Sequence, residues 1–232
     1  MDALREVEGR IFDKKFEWES IDKAQALENK RVLDLIREAC LIEAYFGIYV
    51  ANMISLLKED LEATSMFTIE GFEAYSHYYI LRKYLDIINY KPIKDEEILA
   101  IREKDKDVKY DDEIKELVNF MATEHFAANF FKDLSDLAPE PILKKILATL
   151  SKDEVMHSRF AFDLLRKRLN KNPEIKDKIL SDAKKFQHIG AYVLPTVSNA
   201  KEDNIKIIQS FNNILKDLVG ESISDYSLRK KN

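Results

Sequence analysis

The sequence predicts an all-α fold built around four long helices, and its composition supports this prediction. Glycine and proline number only five each among 232 residues, so few positions would interrupt a helix. Hydrophobic residues make up 46% of the chain and charged residues 34%, which is typical of long helices around a sizeable core. No segment shows the apolar–polar alternation of a β-strand. The length favours a single domain over residues 1–232.

Three core helices are predicted where apolar residues recur at helical spacing, over residues 29–60, 66–89 and 112–136, and a fourth follows the next turn and runs to about residue 170. Pro139 and Pro141 mark the turn before the fourth helix, and proline is well suited to a first helical turn. Asn172-Pro173 then ends this helix. The core bundle is therefore expected over about residues 29–170.

Further helices are expected on both sides of this core. Residues 1–28 are predicted to form one short helix and a packing arm, and the charged stretch 94–112 is predicted to be a long connection with a short helix of its own. Two more helices are predicted at 174–189 and 200–219, so that the C-terminal helices occupy about residues 174–220.

Charge and cysteine content limit the compartment and the partners. The formal net charge of −5 gives no general attraction to nucleic acid. Cys40 is the only cysteine, so no internal disulfide can form and a reducing compartment is compatible. The N-terminus lacks the apolar core of a signal peptide, and no apolar run reaches the ~18 residues of a membrane span. These features predict a cytoplasmic protein without a membrane span.

A carboxylate and an imidazole lie three residues apart in Glu154-Val155-Met156-His157, inside the fourth predicted helix. Residues three apart on a helix share a face, so both side chains point the same way. Four-helix bundles that bind two iron or manganese ions use two such pairs and one Glu from each of the other two helices. A solvated helix face beside a hydrogen-bonded histidine is the alternative interpretation of this pair.

The other three helices carry matching groups. Glu43 and Glu124 each stand in an otherwise apolar run, where a carboxylate is costly to bury unless it is paired or bound to a metal. His125 could point inward instead of Glu124, since adjacent residues differ by about 100° around a helix. The second helix offers Glu73 and His77, four residues apart rather than three. Together the four helices predict a dimetal centre.

At this point the chain resembles the soluble acyl-acyl carrier protein desaturases, over roughly residues 30–195. Asp153-Glu154-Val155-Met156-His157 is similar to the family's Asp-Glu-x-x-His motif, and Glu73-Ala74-Tyr75-Ser76-His77 is similar to its Glu-Glu-x-x-His motif. Glu43-Ala44 and Glu124 stand where the family's first and third helices supply a Glu. Phe186-Gln187-His188-Ile189-Gly190 and Pro195 resemble the family's segment after the bundle.

The resemblance implies a ferritin-like four-helix bundle with additional N- and C-terminal helices, and a centre of two iron ions, with manganese possible at one site. Glu73 and Glu154 would bridge the ions and Glu43 and Glu124 would be terminal ligands. His77 and His157 would bind one ion each, with the carboxylate of Asp153 accepting a hydrogen bond from His77.

One ligand departs from the family pattern, because Ala74 occupies the position of a bridging Glu. Glu73 or Glu70 could replace it. A one-residue π-bulge would swing Glu73 into place, and we favour this because residues four apart still share a face. Otherwise the site would have five protein ligands. A threonine that follows the third-helix Glu in the family is Ala127 here.

The activity implied by the resemblance is O2-dependent desaturation of a long-chain fatty acyl group by a cytoplasmic homodimer. Acyl carrier protein, or another acyl thioester carrier, would present the substrate, and a ferredoxin-like donor would supply electrons. An apolar channel is predicted to be lined by Phe46, Gly47, Val50, Phe126 and Phe130. The alternatives are a related dimetal oxygenase or ligand-binding oxidase for another apolar substrate, a ferritin-like iron-binding protein, and a metal-free helical interaction domain.

Overall fold

The structure is a computed structural model that describes residues 2–103, 108–186 and 200–231. Within these ranges the chain forms helices and loops and no β-strand, which confirms the predicted all-α class. The helices are α1 Asp2–Phe12, α2 Lys23–Ala26, α3 Lys30–Leu56, α4 Leu61–Ile87, α5 Asp95–Glu103, α6 Glu113–Leu137, α7 Pro141–Lys171, α8 Lys176–Lys185, α9 Ala200–Val219 and α10 Ile223–Arg229.

The long helices begin and end close to their predicted bounds because capping residues define them. Helix α4 is the exception, because it begins five residues earlier than expected. The side chain of Asp60 caps it there by accepting hydrogen bonds from the backbone N–H groups of Glu62 and Ala63. Helix α10 was not predicted. It begins at a capping box in which Ser222 and Asp225 bond each other's backbone.

The four long helices pack around a shared interior. Helices α3 and α4 contact each other, as do α6 and α7, and further contacts join α4 to α7 and α3 to α6. Helices α8 and α9 pack on α6, α9 also contacts α7, α5 packs on α3, and α1 packs on α4. Each long helix therefore turns one face toward two of the others, and charged groups on that face are brought together.

Helices α3 and α4 approach closely at Gly71. A Cβ atom added there would lie 3.0 Å from Cγ1 of Val50 on α3, so the Val50 side chain would have to shift by a few tenths of an ångström to admit a larger residue. Gly71 stands next to Glu70, one of the acidic residues of the interior. The small residue thus allows a close contact between α3 and α4 next to a buried acid.

By length and composition alone, helix α3 is long and apolar enough to cross a membrane, so the expected absence of a membrane span stays a prediction. The buried core helix of a soluble protein meets the same test. Helix α3 packs against α4 and α6 and buries Glu43 in the interior between them. The cytoplasmic location stays a prediction.

Glu140 caps α7 from a buried position and supports a testable stability difference. Its two carboxylate oxygens accept hydrogen bonds from the N–H groups of Ile142 (3.0 Å) and Leu143 (2.7 Å), and one of them also accepts from the Tyr84 hydroxyl (3.1 Å). We expect Glu140→Ala to lower the free energy of unfolding by about 2–4 kcal/mol, since it removes a cap and leaves a buried hydroxyl without its acceptor.

Urea denaturation followed by circular dichroism measures this effect. Glu96→Ala is the matched control, because Glu96 is an exposed acid in the first turn of α5. The control should change stability by less than about 0.5 kcal/mol. Equal effects of the two substitutions would show that the Glu140 contacts do not stabilise the fold.

Candidate metal centre

Six buried side chains from the four long helices meet in the shared interior as two groups of three. Glu43, His77 and Glu154 offer ligand atoms that all lie within 4.8 Å of one another, and Glu70, Glu124 and His157 do the same. None of the six residues exposes more than 5% of its surface. Carboxylate and imidazole are donors that iron and manganese accept, so each group can hold a metal ion.

Glu154 stands between the two groups. Its Oε1 atom lies 3.0 Å from Nδ1 of His77, and its Oε2 atom lies 2.7 Å from Nδ1 of His157. One carboxylate therefore presents one oxygen to each group, which is the geometry of a bridging ligand.

The remaining three carboxylates divide between the histidines. Glu70 Oε2 lies 2.8 Å and Glu124 Oε2 lies 3.9 Å from His157 Nδ1, while Glu43 Oε2 lies 3.8 Å from His77 Nδ1. Both imidazoles thus turn the same ring nitrogen toward carboxylate oxygens in the interior.

The outer nitrogen of each histidine is held by a carboxylate from the other helix. Nε2 of His77 on α4 donates to Asp153 of α7 (3.2 Å), as expected, and Nε2 of His157 on α7 donates to Glu73 of α4 (2.7 Å). Each acid stands four residues before the histidine of its own helix. An N–H bond at Nε2 fixes the tautomer and leaves Nδ1 as the nitrogen that can bind a metal.

The two acid–histidine pairs repeat in the sequence with a spacing of 80 residues. His77 and Glu73 correspond to His157 and Asp153, each 80 residues later. The same offset places Ala74 opposite Glu154, so one half lacks the carboxylate three residues before its histidine. Glu70 supplies that missing carboxylate to the interior.

The structure places Glu73 outside the ligand groups, which differs from the predicted bridging role. Helix α4 is a continuous α-helix from Leu61 to Ile87 without the expected π-bulge, and the Glu73 side chain is 37% exposed. At about 100° per residue, Glu73 is turned roughly 40° from His77 to one side, whereas Ala74 and Glu70 are turned to the other side. Glu70 thereby reaches the interior from two turns away. Its spacing of seven residues from His77 was the available sequence signal.

Glu124, and not His125, is the inward residue of that pair. Nε2 of His125 lies 3.4 Å from the carbonyl oxygen of Ile207 on α9, on the other side of α6. Ala127 is buried at 2% exposure and brings no hydroxyl to its position. The threonine closest in sequence is Thr123, which lies on the wall of a neighbouring cleft.

Burial and charge shape the protonation of the centre. Burial alone would lower the pKa of His77, but the charge of Glu154 and the close contacts with Asp153 and Glu154 raise that pKa to about 10. Burial raises the pKa of Glu70 and that of Glu124, and the charge of Glu154 raises both further. Without a cation the interior therefore retains protons that metal binding would displace.

Three potential ligand atoms make no hydrogen bond of good geometry within the described ranges: Glu70 Oε2, Glu124 Oε1 and His77 Nδ1. Two of them nevertheless lie close to a neighbouring ligand atom, Glu70 Oε2 at 2.8 Å from His157 Nδ1 and His77 Nδ1 at 3.0 Å from Glu154 Oε1. Buried polar atoms are normally hydrogen-bonded, and an exception calls for an ion or another reason. All three atoms belong to the two groups around Glu154. This pattern fits a pair of metal ions better than it fits a set of ordinary hydrogen bonds.

A cleft of about 910 Å³ lies between α3, α6 and α8. Ile42 and Thr123 line it and directly neighbour Glu43 and Glu124 in the sequence. Of the five predicted channel residues, Phe46 lines this cleft. The other four lie elsewhere: Val50, Phe126 and Phe130 are packed in the core and Gly47 is exposed.

Comparisons of the chain with protein-family models, with curated proteins and with solved structures found no match. The segment after the bundle that supports the resemblance to desaturases lies outside the described residues, apart from Phe186. Phe186 lines the cleft. The fold and the site therefore define a helical protein with two adjacent buried carboxylate–histidine groups.

Proposed function

We propose that this protein is a dimetal oxidoreductase that uses O2 to oxidise an apolar or amphipathic molecule bound in the cleft. The observation that carries the proposal is Glu154, whose two oxygens each approach a different histidine in a fully buried interior. A bridging carboxylate holds two cations close together, as in the di-iron and di-manganese helical bundles.

The donor set favours iron at both positions, with manganese acceptable at one. Four carboxylates and two imidazoles are hard or intermediate ligands, and the two groups contain no thiolate. Two divalent cations would offset the four negative charges of Glu43, Glu70, Glu124 and Glu154. Such compensation is what makes the burial of four carboxylates tolerable.

The chain's own residues would hold the centre and exclude water. Asp153 and Glu73 fix the two imidazole rings from outside, and Glu154 joins the two groups. When bound, the metal pair would supply the activation of O2 that protein side chains cannot provide. In a desaturation the substrate loses two hydrogen atoms. O2 takes these together with two electrons and two protons from outside, and two water molecules form.

The resemblance suggests a narrower function, desaturation of a long-chain fatty acyl group. An acyl carrier protein or another thioester carrier would deliver the chain, and a ferredoxin-like donor would supply the electrons. A homodimer belongs to the same proposal. The apolar and aromatic part of the cleft wall supports this function, with Ile42, Phe46 and Phe120 among the lining residues.

A related dimetal oxygenase is the second candidate, and the polar part of the cleft favours it. Glu116 is buried and lines the cleft, and Tyr49 lines it with a buried hydroxyl. A channel for a plain alkyl chain has no use for these groups. A ferritin-like iron-storage protein would not require a cleft large enough for an organic substrate.

Anaerobic reconstitution with Fe(II), followed by exposure to O2, tests the proposal. We expect about two iron ions per chain and a near-ultraviolet charge-transfer absorption that grows when O2 is admitted. Iron content is measured after desalting, and a sample treated with a chelator before O2 serves as the control. One iron ion or none per chain would refute the dimetal centre and leave a metal-free helical protein.

A further inference from the structure

We infer that the cleft recognises a hydroxyl group on an otherwise apolar ligand, through Tyr49 of α3 and Glu116 of α6. The ligand class is thus an alcohol or a phenol. The inference deepens the proposed function, because such a ligand would be the substrate of the neighbouring centre. The binding itself depends on the cleft and not on metal.

The first observation is the Tyr49 hydroxyl, which is buried and has no hydrogen-bond partner within the described part of the chain. Aromatic neighbours fix the ring, since its centroid lies 5.4 Å from that of Phe46, 5.7 Å from that of Tyr110 and 6.1 Å from that of Phe120. The ring cannot turn its hydroxyl to solvent without breaking these contacts. A buried hydroxyl normally has a hydrogen-bond partner, and the Tyr49 side chain that carries this one forms part of the cleft wall.

The second observation is a polar stripe on α6 that faces the same cleft. Glu116, Asn119 and Thr123 all line it, and their spacing of three and four residues places them on one helical face. Glu116 is only 4% exposed, and Nζ of Lys115 lies 3.2 Å from its Oε1 atom.

The chemistry of the two groups selects the ligand. A tyrosine hydroxyl can donate or accept a hydrogen bond, whereas a carboxylate only accepts. A ligand hydroxyl can accept from Tyr49 and donate to Glu116. A ligand carboxylate would be repelled by Glu116, and a hydrocarbon would leave Tyr49 without a partner. Burial is the largest effect that raises the pKa of Tyr49, and the negative charge of Glu116 is the second largest, in keeping with the proximity of the two side chains.

The rest of the wall suits an apolar ligand body. The hydroxyls of Tyr45 and Tyr110 bond each other at 3.0 Å, so their rings present apolar surface. At the rim, Lys178 pairs with Asp112 and Asp182. Aromatic side chains offer flat surfaces against which a phenol ring or a short alkyl chain can pack.

Calorimetric titration of the full-length protein without added metal tests the inference, with 4-propylphenol, propylbenzene and 4-propylbenzoate as probes. We expect 4-propylphenol to bind at least about ten-fold more tightly than the other two, because a site built to bond a hydroxyl rejects analogues that lack it. Tyr49→Phe and Glu116→Gln should each reduce this preference several-fold. Tyr90→Phe is the matched control, since its hydroxyl bonds Asp34 away from the cleft.

Equal affinity for 4-propylphenol and propylbenzene would overturn the inference, as would no detectable binding of the phenol. An undiminished preference in both cleft variants would do the same, provided that their circular dichroism spectra and thermal unfolding match the wild type. Metal binding is measured separately. A phenol preference without iron binding would refute the proposed function alone, and two bound irons without the preference would refute this inference alone.

Discussion

Replacement of Glu154 by alanine should reduce the iron bound after anaerobic reconstitution from about two ions per chain to fewer than one. Glu154 is the only carboxylate of the described interior whose separate oxygens approach both histidines at 3.0 Å or less. Its removal takes one member from the group of Glu43 and His77, and it also takes away the carboxylate oxygen that lies 2.7 Å from His157 in the other group. Burial disfavours protonation of His77, and the negative charge of Glu154 is the strongest of the effects that favour it. The substitution removes this charge as well.

Asp163→Ala provides the matched control for this prediction. Asp163 is an acid on the same helix, and its side chain forms an exposed ion pair with Arg159. Iron content by elemental analysis and thermal unfolding are compared for the wild type and both variants. If Glu154→Ala binds as much iron as Asp163→Ala, the bridging role of Glu154 is excluded.

Glu70→Ala and Glu73→Ala should differ sharply although the two acids are three residues apart on α4. Glu70 is 2% exposed and lies 2.8 Å from His157 Nδ1, so its loss should abolish binding at one metal position. Glu73 contacts the outer nitrogen of the same ring at 2.7 Å. Its loss should leave two positions with about 10–100-fold weaker affinity, the usual effect of removing a carboxylate that orients a histidine ligand.

Titration of the metal-free proteins with Fe(II) or Mn(II) under argon separates the two outcomes. Glu70→Ala should saturate at a lower stoichiometry, whereas Glu73→Ala should saturate at the wild-type value but at higher metal concentration. The reverse pattern would restore Glu73 as the ligand and would require α4 to change its local geometry on binding metal.

The helices were predictable because local chemistry defines them. Pro141 at the start of α7, Asn172 at its end and the scarcity of glycine all act within a turn of their position. Helix α10 was not predicted because an apolar pattern over seven residues is too short to indicate a helix. Its capping box, formed by Ser222 and Asp225, was nevertheless present in the sequence as a signal for a helix start.

The residues of the acidic site could be predicted only where the pattern within a single helix shows which face points inward. Glu43, Glu124, Glu154 and both histidines were chosen from their faces, and the structure brings these five together. The choice between Glu70 and Glu73 depends on how α4 is rotated against α7, which is a property of packing. Residues of α8 and of the connection before α6 form part of the cleft wall, and the sequence pattern of the four core helices does not show how these segments pack. Of the predicted channel residues, Phe46 alone therefore lines the cleft.

The two outer carboxylate–histidine bonds have a consequence for how the centre can open. One bond joins residues that are 76 positions apart in the sequence, and the other joins residues that are 84 positions apart. In one bond the α3–α4 pair supplies the histidine and the α6–α7 pair supplies the carboxylate, and in the other bond these roles are exchanged. No single side-chain rotation frees both histidines, because each is held from the opposite pair. We therefore expect entry and release of metal to follow a cooperative separation of the two helical pairs, so that the lifetime of the bound ions reflects the opening rate of the fold.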